Sequence, residues 1–389
     1  MIREATAALL AVPLLLPAAA PVRWELDVMD VPEAHRVSQG ENITVAVLDT
    51  GVVAEHPEFK GRVSTGPDLI GGGARPGQSY WGAHGTAMAS NVLSVAPKAR
   101  VLSVRVIWDE EDPARERYEQ ALKNWTETGT ADDAYLESQR ALAKGIRYAV
   151  GQGAEIISMS LGTDEWGAFQ PYEEDVAAAV DHALGKGVIL LASSGNGGST
   201  SRLDTEANNV VSYPAAYAGV IGVAAMAPGG QRAGFSQVHT YTSISAPGVD
   251  IRSALNTGGY EAVHGTSPAC ALAAGAVALM LSRNPDLSPR QVRDILVRTA
   301  TKPEDGYTVF LGHGLVNADA AVRAAGVAKG ARIEAVPYKG GEYFGKGPVD
   351  SPITHPPISR TYMIAGGVGV GVGLLCFAGA FLLIRRRRA

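Results

Sequence analysis

The sequence predicts an α/β fold, doubly wound, with a mostly parallel sheet carrying helices on both faces. Three observations lead there. Short, near-continuous apolar runs rich in β-branched residues recur between residues 43 and 224, helical stretches separate them, and glycines bound them. A sheet covered on both faces reads this way, whereas a sheet with one wet face alternates apolar and polar residues. In such a fold, ligands gather at the carboxyl ends of the strands.

Each element follows from its local residues. Residues 43–48, Ile-Thr-Val-Ala-Val-Leu, make the first strand and run into Asp49 of an Asp-Thr-Gly turn. Similar runs at 100–106, 155–160, 188–192 and 220–224 supply four more strands. Helical stretches at 136–152 and 175–186 connect them. The helix at 291–299 has its own start signal. Ser288 caps, Pro289 takes the first helical position and Gln291 closes a capping box, with Val292, Ile295 and Leu296 on one face. Residues 109–137 open with Asp109-Glu110-Glu111-Asp112 and mix charges of both signs. They read as a solvated loop or surface helix, with an insertion over the cleft or against a partner as the functional alternative.

The two ends address the chain to a membrane. Residues 1–20 read as a secretory signal, with Arg3, an apolar run through Leu16 and small residues at Ala18-Ala19-Ala20. A short N-terminal extension (21–41) precedes the main domain (42–327). A stalk at 328–361 holds Pro337, Pro348, Pro352, Pro356 and Pro357 and acts as a semi-rigid spacer. A transmembrane helix is expected at 362–384, because residues 363–384 contain no charge and cover a hydrocarbon core of about 30 Å as a helix. Arg385 to Arg388 follow at once and place the 385–389 tail on the cytoplasmic side.

Composition excludes several classes. Hydrophobic residues make 46% of 389 residues and charged ones 19%, so a large core is available and general disorder is not expected. The net charge of -5, without a long internal basic tract, argues against a nucleic-acid partner. Two cysteines, Cys270 and Cys376, cannot build a disulfide framework or a cysteine zinc site. No metal site is recognisable.

Three residues carry the candidate chemistry. Asp49 ends the first strand, where an isolated aspartate is ordinarily a turn or cap residue. Asp-Thr-Gly also occurs in aspartic proteases, which need two such carboxylates, and this chain has no second one. His84 lies in Gly82-Ala-His-Gly-Thr86 ahead of a helical stretch, and a lone histidine is more often structural. Ser267 lies in His264-Gly-Thr-Ser-Pro268 before a long small-residue helix. It suits an N-cap, and equally a nucleophile whose developing oxyanion the helix terminus would stabilise.

Taken together, these motifs resemble the subtilisin-like (subtilase) family. Asp49, His84 and Ser267 stand in the family's chain order, within DTG, HGT and GTS. Further similarity lies at His56-Pro57, Ser158 to Gly162, Ser194 to Gly197, Tyr213 to Ala215, Phe235-Ser236, Ser245 to Gly248 and Gly312 to Asn317, so the resemblance covers roughly 42–325. It implies a subtilisin-like fold and a serine endopeptidase with Ser267 as nucleophile, His84 as acid–base and Asp49 as its orienter. It implies an oxyanion donor at Asn196. Substrate contacts are implied at Ser158, Ser160, Leu161 and Gly162 on an edge segment, and at Ser194 and Gly195 on a pocket wall. Calcium is common in the family, but no site for it is identifiable here.

The whole layout resembles the mycosins, membrane-anchored subtilases of type VII secretion systems, and implies a partnership with that machinery. The chain departs from the family in four places. Pro268 follows the serine where methionine is usual, and Tyr80-Trp-Gly-Ala replaces the common Asp-x-x-Gly before the histidine. The N-terminal extension is too short for a folded pro-domain, and the disulfides common in mycosins cannot form. The competing reading is a catalytically silent scaffold of a membrane complex.

Overall fold

The apolar runs become the strands of one parallel sheet. In chain order the strands are β1 (Thr44–Asp49), β2 (Val63–Asp68), β3 (Arg100–Arg105), β4 (Ile156–Met159), β5 (Ile189–Ser193), β6 (Ile221–Met226) and β7 (Thr242–Pro247). They lie side by side in the order β2-β3-β1-β4-β5-β6-β7, every pairing parallel. A separate antiparallel hairpin joins β8 (Ile251–Ala254) to β9 (Tyr260–Val263). The computed structural model describes residues 23–128, 133–162, 172–201, 211–330 and 360–386. The expected signal at 1–20 and most of the stalk lie outside these residues.

The chain order of the strands determines where a site can form. From β1 the chain passes to the edge strand β2, returns through β3, and only then crosses to β4 on the other side of β1. The connections therefore diverge at the carboxyl end of β1, where an open α/β sheet leaves a crevice. Asp49 is the last residue of that strand.

The helices of the main domain are α1 (Trp24–Val28), α2 (Val31–Ala34), α3 (Ala83–Val95), α4 (Arg115–Thr128), α5 (Asp133–Gly151), α6 (Glu174–Gly185), α7 (Thr266–Arg283), α8 (Pro289–Thr299) and α9 (Ala318–Val327). Alternate residues of each strand serve opposite faces of the sheet. Val45, Val47, Ile189, Leu191 and Val223 form one core with α3, α7, α8 and α9. Ala46, Leu48, Leu190 and Ala192 form the other with α5 and α6. Helix α7 is apolar all round, and its residues from Thr266 to Leu281 are buried. Among the described residues it is the helix whose length and composition would suit a membrane span, yet it is the central core helix.

Residues of the 21–41 extension pack into the core of the domain. Met29, Val31 and Ala34 are fully buried in the core, and the Met29 carbonyl accepts the Ala318 N–H at 2.7 Å. Within 109–137, read as a solvated loop or surface helix, the helix is found: α4 occupies 115–128 and α5 begins at 133. The capping box of α8 forms as expected. Ser288 accepts the Gln291 N–H at 3.3 Å, and Gln291 Oε1 accepts the Ser288 N–H at 3.0 Å.

The chain divides into Met1–Gly345 and Lys346–Ala389. In the second unit, α10 (Arg360–Arg386) is one helix, and Ile364–Gly379 is its described apolar stretch. Ile364, Leu374, Leu375 and Phe377 are exposed on it.

Candidate active site

The sheet's carboxyl edge and the starts of two helices hold the polar residues that the sequence singles out. Asp49 at the end of β1 is fully buried, and its Oδ1 meets His84 Nδ1 at 2.7 Å. The Thr50 N–H also donates to Oδ1, at 2.8 Å. His84 is the second residue of α3. Its approach to β1 depends on Gly85, where an added Cβ would lie 2.0 Å from the Gly51 carbonyl oxygen and 3.3 Å from Asp49 Cβ. With any larger residue there, the helix would have to stand off and the imidazole would leave Asp49. Trp81, nearly buried, fills the space against Gly51.

Ser267 is the second residue of α7 and is 9% exposed. As a first-turn residue it has no intrahelical acceptor for its N–H. Its hydroxyl donates to the Ser160 carbonyl at 3.2 Å, while Ser160 Oγ donates back to the Ser267 carbonyl at 2.9 Å. It makes no hydrogen bond to His84. Pro268 sits in the first turn of α7, where a missing N–H costs nothing. Gly265 precedes the helix at φ 150, in a region that favours glycine.

Asn196 follows β5, and its amide is held by its carbonyl end. Oδ1 accepts the Thr266 N–H at 2.8 Å and the Thr266 hydroxyl at 2.9 Å. Thr266 Oγ1 in turn accepts the Gly195 N–H at 3.2 Å. Two donors on the oxygen settle which end of the amide is which and turn the NH2 end away from Thr266.

The expected substrate-contact residues divide. Leu161 and Gly162 are half-buried after β4, with the Leu161 carbonyl accepting from Ser193 Oγ at 3.1 Å. Ser158 and Ser194 are buried, and Ser158 Oγ lies 3.8 Å from Cys270 Sγ under α7. The Ser158 main chain is paired with β1 on one side and β5 on the other, and the Ser194 N–H donates to the Val223 carbonyl at 3.0 Å. Gly195 packs against Gln237, and a Cβ there would clash with its amide.

Several participants are not evident from the sequence. Asp109, read there as solvated, is 5% exposed and accepts the N–H groups of Ala83 and His84, each at 3.0 Å. Arg105 is buried with Asp68 at 2.7 Å and Asp112 at 2.6 Å, and so ties down the turn that bears Asp109. Burial disfavours the imidazolium of His84. The Asp49 carboxylate and its hydrogen bond outweigh that, Asp109 and Glu110 add to it, and the pKa rises from 6.5 to about 9. Burial also raises the Cys270 thiol to about 12, so it stays protonated and inert.

Comparison with known proteins gives the family. Residues 40–314 match the model of the subtilase family. Subtilisin DY of Bacillus licheniformis is 33% identical over 289 residues, covering 73% of this chain and 92% of that protein. The chain belongs to the subtilase family. It is a serine protease by that membership. Subtilisin Savinase of Lederbergia lenta is 34% identical and covered over 99% of its length. Among solved structures, this subtilase is similar to the MycP3 protease from the type VII (ESX-3) secretion system, with a TM-score of 0.64, 28% identity, and 79% of this chain and 90% of that one covered. MycP1 from the ESX-1 type VII secretion system gives a TM-score of 0.63 at 25% identity, over 80% and 88%. Mycosins are thus among the structural neighbours of this subtilase.

Proposed function

We propose that this subtilase is a membrane-anchored, extracytoplasmic endopeptidase that cleaves protein substrates through Asp49, His84 and Ser267 and works beside a type VII secretion system. The observation that carries the catalytic part is the 2.7 Å contact between buried Asp49 and His84 at the carboxyl edge of the sheet. Asp49 accepts a hydrogen bond from Nδ1–H, which leaves Nε2 as the basic nitrogen for the Ser267 hydroxyl. Ser267 attacks the scissile carbonyl, His84 receives its proton and returns it to the leaving amine, and water then releases the acyl group. Asn196 Nδ2 and the Ser267 N–H are the donors proposed for the tetrahedral oxyanion, and the start of α7 adds its dipole. Leu161, Gly162 and the 194–195 main chain hold the extended substrate beside them.

Anchoring rests on the uncharged 363–384 run, the arginines after it and the apolar exposed side chains of α10. The secretion partnership rests on the likeness to MycP1 and MycP3. A second reading, the silent scaffold, draws on one observation: the Ser267 hydroxyl is held by Ser160 and not by His84. In unliganded serine proteases this contact is often loose and tightens only with substrate, so the enzyme reading is preferred.

A fluorophosphonate probe separates the two readings. The full chain in membranes should label, and S267A should not, with proteolysis falling on the order of 10⁶-fold, the scale known for subtilisin. An unlabelled wild-type chain would establish the scaffold. For topology, protease added to spheroplasts should remove the main domain while a C-terminal tag stays intact.

A further inference from the structure

We propose that Asp109 is a second positioning carboxylate for His84, fixing its main chain while Asp49 fixes its ring. The proposal rests on the reading of His84 as the general base. The first turn of any helix leaves N–H groups that need acceptors from outside. Helix α3 starts after Gly82, which has no side chain to cap it, and no acidic residue occupies its first turn. The N–H groups of its first three residues are nevertheless accounted for. Those of Ala83 and His84 donate to the two carboxylate oxygens of Asp109, at 3.0 Å each. That of Gly85 donates to Thr50 Oγ1 at 3.0 Å, and that of Thr86 to the Gly82 carbonyl at 3.0 Å. The Thr50 hydroxyl also favours the charged form of Asp109. The residue after one triad member therefore holds the N–H of the residue after another.

Asp109 arrives from a distant place in the sequence, the turn after β3, and that turn is itself anchored. The Asp112 N–H donates to the Asp109 carbonyl at 3.1 Å, and the Asp112 carboxylate is bound to buried Arg105 at 2.6 Å. Arg105 Nε donates to the Thr50 carbonyl at 3.2 Å. The cap is thus a fixed group, and a bidentate acceptor on consecutive N–H groups sets both the position and the tilt of the first turn of α3. A shift of about 1 Å there carries the imidazole away from Ser267, and misplacement on that scale costs up to about 100-fold in rate. The carboxylate also acts through its charge. The groups that bear on His84 are Asp49 at the end of β1 and Asp109 and Glu110 in the turn after β3; all three favour the imidazolium, against its burial. Burial raises the Asp109 pKa, with the N–H donors of His84 and Ala83 opposing.

The test compares D109N, D109A and E110Q in the full chain, with fluorophosphonate labelling rates, kcat and KM on a peptide substrate, thermal unfolding, and the NMR titration of His84 in an S267A background. D109N keeps one acceptor and loses the charge. Its His84 midpoint should fall by roughly one unit, and at pH 10, above both midpoints, where the rates are compared, it should label on the order of tenfold more slowly with KM unchanged. D109A should be slower still. E110Q removes an exposed charge and should change the rate less than about twofold. The proposal is overturned if D109N keeps the wild-type rate and midpoint, if its midpoint moves no further than that of E110Q, or if D109N loses rate only in step with melting. A wild-type chain that does not label overturns the enzyme reading instead, and the His84 titration still reports on Asp109 in that case.

Discussion

Helices α3 and α7 begin alike and are used in opposite ways. Each follows a glycine that offers no cap, Gly82 or Gly265, and neither carries an acidic residue in its first turn. Each presents a side chain of the proposed triad from its second position, His84 or Ser267. At α3 the donors are closed off by protein, with Asp109 and Thr50 taking the N–H groups of residues 83 to 85. At α7 only the Thr266 N–H is taken, by Asn196, and Pro268 has no N–H to offer. A filled terminus holds a base in place; a terminus with a spare donor can receive an anion. The same structural element serves one site as a clamp and as a receptor.

The largest effect that tests this contrast is expected at Asn196, the side chain beside the open terminus. N196A should lower kcat by about 10²–10³ with KM nearly unchanged, the known cost of losing one such donor in subtilisin. Steady-state kinetics on a peptide substrate decides it. A change confined to KM would place Asn196 in ground-state binding and remove the receptor role from α7.

The closed terminus is sharpened by pH. His84 must be neutral to act as base, and its pKa is raised from 6.5 to about 9, against burial, by Asp49, Asp109 and Glu110. The ascending limb of kcat/KM should therefore lie above 6.5, with rate falling about tenfold per unit below it, or roughly 100-fold over two units. Stability runs the other way. A folded pKa above the unfolded one stabilises below pH 6.5, and this contribution is lost as pH rises through about 9. Activity and melting temperature measured from pH 6 to 10 should move in opposite directions. A limb centred at or below 6.5 would remove the electrostatic half of the clamp.

Much of this contrast was legible in the sequence, and its missing part has a physical cause. Strands β1, β4 and β5 lie near the centre of the sheet, so their residues had to be apolar, and they read plainly. Edge strand β2 contains Gly66 and Pro67 and is largely exposed, so no apolar run marks it. Strand β7, Thr-Ser-Ile-Ser-Ala-Pro, is buried with small hydroxyl residues, which local pattern does not distinguish from a loop. Asp49, His84, Asn196 and Ser267 were found through flanking motifs; Asp49 ends β1, His84 and Ser267 start helices, and Asn196 follows β5. Asp109 was hidden because a run of four acids looks solvated. A turn between residues 109 and 112 sends Asp109 and Asp112 inward and leaves Glu110 and Glu111 exposed. No composition rule encodes that sorting, since it depends on Arg105 and the α3 terminus waiting to receive the two inward carboxylates.

The smallest effect is the most discriminating, because it asks whether Asn196 is itself held by the helix it serves. T266V removes one hydroxyl that donates to Asn196 Oδ1 at 2.9 Å and accepts the Gly195 N–H at 3.2 Å, while the Thr266 N–H bond to Asn196 at 2.8 Å survives. One of two restraints on the amide is lost, so kcat should fall about tenfold, in line with a single hydrogen bond to a positioned group. The Gly195 N–H loses a buried acceptor, which costs about 1–3 kcal/mol in stability and should show as a lower melting temperature. If Thr266 acts by aiming Asn196, the penalties must not add. T266V combined with N196A should then be no slower than N196A alone, since nothing is left to aim. Additive losses in that cycle would mean that Thr266 shapes the start of α7 directly, and the spare donor of Ser267 would then be the feature that the glycine-led terminus protects.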